Sequence, residues 1–172
     1  MNTNDAMNLL NLSGEVTQKE IKKSFKAASF KYHPDRNPLA GREMMQAINT
    51  AYETLKNLGD KVLMDDDFKA YDFAEELNNI LNKLFELDGI NIEVCGNWVW
   101  ITGESFPHAK RLGKKEGGIG CTFTKKEGVP MWFYRPVEYK SKNRKKNSLD
   151  DIRSAYGSVK VNKSRVNKRL AA

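Results

Sequence analysis

Between residues 17 and 57 the apolar positions trace two helical stripes separated by a short polar break. Ile21, Phe25, Ala28 and Tyr32 recur at intervals of four, three and four, the spacing of one helix face. Thr17-Gln18-Lys19-Glu20 precedes them as a capping box, in which a hydroxyl and a carboxylate each satisfy an orphan amide. Pro34 ends the helix near Tyr32 or His33, because proline disfavours helical geometry in the residue before it. Asp35 and Asn37 form turns readily and Pro38 blocks immediate continuation. A second stripe of Met44, Ile48, Ala51 and Leu55 predicts a helix from about Gly41 to Asn57, with Met45 and Tyr52 on its flank. A shorter helix over about Asp5 to Leu10 contributes Leu9 and Leu10 and closes at Ser13-Gly14. Two long helices joined by so short a loop pack antiparallel, which puts His33-Pro34-Asp35 at their solvent-exposed tip.

Further along, "DFAEELNNILNKLFEL" at 72–87 gathers Ala74, Leu77, Ile80, Leu81 and Leu84 on one helix face. The period then changes to two. "INIEVCGNWVWITG" alternates around Gly96-Asn97, the signature of a tight hairpin. "SFPHAKRLGKKEG" predicts a short helix with Pro107 in its first turn, and "IGCTFTKKEGVPMWFYRP" a second hairpin around Lys125 to Val129. The expected class is α+β: an all-α unit over 1–60, a linker over 61–71, a small α-ββ-α-ββ domain over 72–137, and a basic, partly disordered tail over 138–172. Within the tail "LDDIRSAYGS" predicts a brief amphipathic helix through Leu149, Ile152 and Ala155.

Charge sharpens this division. The net charge is +7, and residues 138–172 carry 11 Lys/Arg against 3 Asp/Glu, so the tail accounts for the whole excess. No apolar run reaches the roughly 18 residues of a membrane span, and the N-terminus lacks the basic-then-apolar pattern of a secretory signal. Cys95 and Cys121 stand far apart and outside any Cys-x-x-Cys pair, which points to a reducing, cytoplasmic setting. On the first long helix Lys19, Lys22, Lys23 and Lys26 project opposite the apolar stripe, and Phe30 projects with them. Lysines alone make a solvated face; lysines around a bulky ring make a protein-binding one.

"IKKSFKAASFKYHPDRNP" followed by "INTAYETL" resembles the J-domain of DnaJ-type co-chaperones, over about residues 3–58. The specific feature is the placement of His-Pro-Asp, after "KY" at the end of a basic amphipathic helix and ahead of an "AYETL" helix. The resemblance implies docking on a DnaK-type 70-kDa chaperone and stimulation of its ATPase. In that role His33, Pro34 and Asp35 are the effector loop, with Asp35 pairing to an arginine of the chaperone, Pro34 fixing the backbone and His33 bracing it. Lys19, Lys22, Lys23 and Lys26 would steer the encounter and Phe30 would make an apolar contact. The chain departs from the family pattern where "NLGDKVLMDDDFKAYDF" replaces the charged end of the last helix, which bears on partner choice. It also has neither a Gly/Phe-rich linker nor a Cys-x-x-Cys repeat, as in type III members, which attach something else to the module.

The layout "GNWVWITG…PHAKRL…MWFYRP" is similar to a small domain of phage and plasmid proteins, a similarity that implies no definite activity. Two readings stand for it. Trp98 and Trp100 on one strand face, with Lys110, Arg111, Lys125, Lys126 and Arg135 nearby in sequence, would suit single-stranded nucleic acid if the rings are exposed. Alternatively the tryptophans fill a small core, the lysines are solvated, and the domain directs the module to a client protein. No spacing links a nucleophile to a base, no cofactor loop follows a strand, and His33 and His108 lie in different segments. Neither an enzyme nor a metal or cofactor site is expected, and no membrane partner.

Overall fold

The computed structural model describes residues 1–64, 73–115, 117–136 and 148–161, and readings that fall on the linker beyond 64, on 137–147 or beyond 161 lie outside them. The three predicted N-terminal helices are α1 (Thr3–Leu9), α2 (Gln18–Lys31) and α3 (Gly41–Lys56). Thr17 caps α2 as expected, its hydroxyl accepting from the Glu20 amide while the Glu20 carboxylate accepts from Thr17 N–H at 2.8 Å. Ile21, Met44, Ile48, Ala51 and Leu55 are buried, and Phe25 stacks on Tyr52 with centroids 4.3 Å apart.

Two short strands close the base of this unit. β1 (Glu15–Thr17) pairs antiparallel with β2 (Lys61–Leu63), placing Val16 opposite Val62. The stretch read as a linker therefore starts with a paired strand. Three residues are too few for alternation to show, and their pairing joins positions 44 to 48 apart in sequence.

Helix α4 (Phe73–Phe85) follows the predicted stripe and buries Ala74, Leu77, Ile80, Leu81 and Leu84. The first hairpin is β3 (Ile90–Cys95) and β4 (Trp98–Gly103) around Gly96-Asn97. A 3-10 turn at Phe106–His108 leads into α5 (Ala109–Leu112), and the second hairpin is β5 (Thr122–Lys126) and β6 (Val129–Tyr134). Ser148 caps α6 (Leu149–Tyr156), and β7 (Val159–Val161) then pairs with β3. The resulting sheet is antiparallel in the order β5-β6-β4-β3-β7. A stretch read as tail thus supplies an edge strand, with Val161 opposite Ile92.

The sheet has two covered faces. Ile92, Val94, Val99, Ile101 and Val161 join α1, α3 and α4 in one continuous core that runs from Ala6 to the end of the sheet. On the opposite face Cys95, Trp100 and Met131 form a second cluster beneath Leu149 and Ile152 of α6. Arg153 fastens α6 to the sheet through a two-pronged pair with Glu93, Nε to Oε1 and Nη2 to Oε2 both at 2.7 Å. Helix α1 lies between the two units, which explains why Asp5 and Asn8 are buried despite their polarity. Gly96, at φ 57°, permits the approach on the hairpin side: a Cβ there would lie 2.5 Å from the Asp5 carboxylate.

Candidate functional site

Helix periodicity and a proline place the exposed residues of the α2–α3 tip. Lys19, Lys22, Lys23 and Lys26 all face solvent along α2. Phe30 continues their row and is 64% exposed, a large value for an apolar ring. It is held in place by Arg36, whose guanidinium lies 3.7 Å from the ring centroid. The preformed ring and the lysines make one continuous basic-apolar strip that ends at the loop.

The loop is built from backbone hydrogen bonds. The His33 carbonyl accepts from both Arg36 N–H and Asn37 N–H at 2.9 Å, and the Asn37 carbonyl accepts from Gly41 N–H at 2.7 Å. The Asp35 amide donates to His33 Nδ1 at 3.3 Å and an Asp35 carboxylate oxygen lies 3.4 Å from the same nitrogen, so the imidazole braces the turn. The Asp35 side chain stays 88% exposed.

Gly41 is a site residue that the sequence pattern does not reveal. A Cβ at this position would lie 2.6 Å from Pro34 Cα and 2.9 Å from Pro34 N, both backbone atoms that cannot swing aside. The first turn of α3 therefore packs directly beneath the middle of His33-Pro34-Asp35. Gly41→Ala is expected to displace the loop and to lower stability by about 1–3 kcal/mol, a typical cost of overpacking. Amide chemical shifts of His33 and Asp35 measured beside a denaturation curve check this; unchanged shifts would refute it.

Beyond Leu63 the structure adds a contact no local pattern predicts. Helix α4 reaches the loop from behind: Lys31 Nζ lies 2.6 Å from Glu75 Oε2, and Tyr32 donates its hydroxyl to the same oxygen at 3.1 Å. Tyr32 is a core residue, and burial pushes its phenol up to about 12. Asn37 Nδ2 donates to Asn78 Oδ1 at 2.6 Å.

A family model for the DnaJ domain matches residues 5–65, the span from α1 through β2. The chain carries a J-domain. Its "KYHPDRNP" loop and lysine face therefore occupy the J-domain's α2–α3 tip, and β2 belongs to the matched span. The chaperone protein DnaJ of Anaplasma marginale (strain Florida) is 42% identical over 59 residues, covering 33% of this chain and 16% of that protein. DnaJ of Wolbachia pipientis subsp. Culex pipiens is 35% identical over 95 residues, 49% of this chain and 26% of the relative. A DnaJ homolog subfamily C member 3 homolog from Dictyostelium discoideum is 34% identical over 79 residues, 44% and 14% respectively. The chain thus spans about a sixth of the length of the first of these relatives. No solved structure matches the chain.

Outside the J-domain the candidate contact residues do not form an open tray. Trp100 is 2% exposed, enclosed by Trp98, Phe133 and Met131 below α6. Lys126 and Arg135 sit over Trp100 and Trp98 at 5.5 and 6.0 Å from the ring centroids, at the rim of this cluster. Lys125 lies on the exposed edge hairpin, while Lys110 and Arg111 are on α5, where Arg111 pairs with Glu86. These seven side chains are thus divided between a covered aromatic cluster, a hairpin edge and a separate helix. Trp100 is core, whereas Trp98 is half-buried at the edge of the cluster that α6 covers.

Cys95, Cys121 and His108 lie apart from the α2–α3 tip. Burial pushes the thiols of Cys95 and Cys121 up to about 12, away from thiolate reactivity. His108 contacts the Asp88 carbonyl at 2.9 Å through Nε2. Among the described residues no three His, Cys, Asp or Glu side chains gather as a metal site, and no helix is long and apolar enough to cross a membrane.

Proposed function

We propose that this protein is a co-chaperone that docks on a DnaK-type 70-kDa chaperone and stimulates its ATPase through His33-Pro34-Asp35. The carrying observation is the combination at the α2–α3 tip: four exposed lysines, an exposed but braced phenylalanine, and an outward carboxylate on a rigid turn. Lysines steer a partner with an acidic surface, Phe30 supplies desolvated contact, and Asp35 supplies a geometrically exacting carboxylate for a guanidinium. The chain itself contributes no catalytic group to this reaction. The sheet domain directs the module to a client protein.

Steady-state ATP hydrolysis by a DnaK-type chaperone tests the reading. Wild-type protein is expected to accelerate turnover. Asp35→Asn, which keeps the shape and removes the charge, is expected to lose at least about tenfold of the stimulation, the loss of one hydrogen bond to a charged group. Equal stimulation by both proteins at saturating concentration overturns it.

A further inference from the structure

We infer that helix α4 holds the His-Pro-Asp loop in its working geometry, with Asn78 as the positioning residue, so that the attached domain sets the output of the J-domain. This rests on the reading that the loop acts on a chaperone.

Both ends of the loop are tied to one face of α4. Glu75 receives Lys31 and Tyr32 where α2 enters the loop, and Asn78 receives Asn37 where the chain leaves it. Residues 75 and 78 are three apart and so project from the same side of a helix. Hydrogen bonding to Lys31 pulls the Glu75 carboxyl below its ordinary value, with Tyr32 adding to the effect, as expected of an ionised anchor. Asn37 is the sharper of the two ties: its amide donates to the His33 carbonyl and its side chain to Asn78, so one residue couples the turn to α4.

The contacts that α4 avoids decide between support and obstruction. Lys19, Lys22, Lys23, Lys26, Phe30, His33, Pro34 and Asp35 all remain exposed. Helix α4 grips the loop from the side opposite the docking strip. An obstructing element would cover that strip. A bracing element leaves it open and removes conformations that a partner would otherwise have to order on binding. The two supports differ in kind, since α3 presses on Pro34 through the bare backbone of Gly41 while α4 holds Asn37 by a hydrogen bond.

The test uses the full chain with Asn78→Ala, which removes the acceptor, and Asn78→Asp, which keeps it. Alanine is well tolerated in a helix, and thermal melting checks that both variants fold. Chaperone ATPase is measured against co-chaperone concentration, together with amide hydrogen exchange at Arg36 and Asn37. Asn78→Ala is expected to lower maximal stimulation about two- to tenfold, the scale of one hydrogen bond, and to speed exchange at both amides. The half-saturating concentration is expected to rise by a similar factor, because the partner must then order the loop on binding. Asn78→Asp restores both readouts. Unchanged stimulation and exchange with Asn78→Ala overturn the inference, as does an equal loss with Asn78→Asp. If the wild type fails to stimulate at all, the functional reading falls, while faster exchange with Asn78→Ala still supports the brace.

Discussion

Trp100→Ala is expected to lower the unfolding free energy by about 3–5 kcal/mol, the range for emptying a buried aromatic site. The indole is 2% exposed and makes offset contacts with Trp98 and Phe133 at centroid distances of 5.8 and 5.3 Å. It also supports Leu149 and Ile152, so its loss loosens the seating of α6. Trp100→Phe is expected to cost far less. Among the described residues the Trp100 Nε1–H is buried without a hydrogen-bond partner, and removing an unmet donor recovers about 1–3 kcal/mol against the lost ring area. Denaturant midpoints for the three proteins check both statements. An alanine variant as stable as the wild type would show that the aromatic cluster is not core.

The second large effect concerns Asp5, whose carboxyl is 2% exposed between α1 and the β3–β4 turn. Burial raises it to about 7 from an ordinary 3.8, with the N-terminal amine pulling weakly the other way. The folded protein therefore binds one more proton than the unfolded chain between these two values. Stability is fully present below about pH 3.8, falls as pH rises toward 7, and levels off above it. The total loss is about 4 kcal/mol by proton linkage. Asp5→Asn removes the titration, so its stability is expected to stay level over this range and to exceed the wild type at pH 8. Urea unfolding at pH 4, 6 and 8 measures the difference. Parallel curves for the two proteins would mean that Asp5 ionises without cost.

Much of the fold was legible from local pattern. The capping box at Thr17, the stop before Pro34, the α4 stripe and the turn at Gly96-Asn97 each depend on residues within a few positions of one another, and each stands where expected. The pairing of β1 with β2 and the addition of β7 were not legible. Each strand is three residues long, too short for alternation, and its pairing joins positions 44 to 69 apart. The burial of Asp5 was not legible either, because no local pattern in a short N-terminal helix tells that a second unit packs over it.

The exposed strip from Lys19 to Asp35 shows how far sequence alone reached. A helix of period 3.6 and a proline at its end are enough to place four lysines and a phenylalanine on one side and Asp35 at the tip. These are consequences of backbone geometry over one short segment. Whether Trp100 would face water or a helix, and whether anything would stand behind the loop, was open until α6 and α4 found their places. Those outcomes join residues more than 40 positions apart, as in Asn37 with Asn78 and Glu93 with Arg153. Such contacts are selected by the burial of a shared core, which no local periodicity specifies.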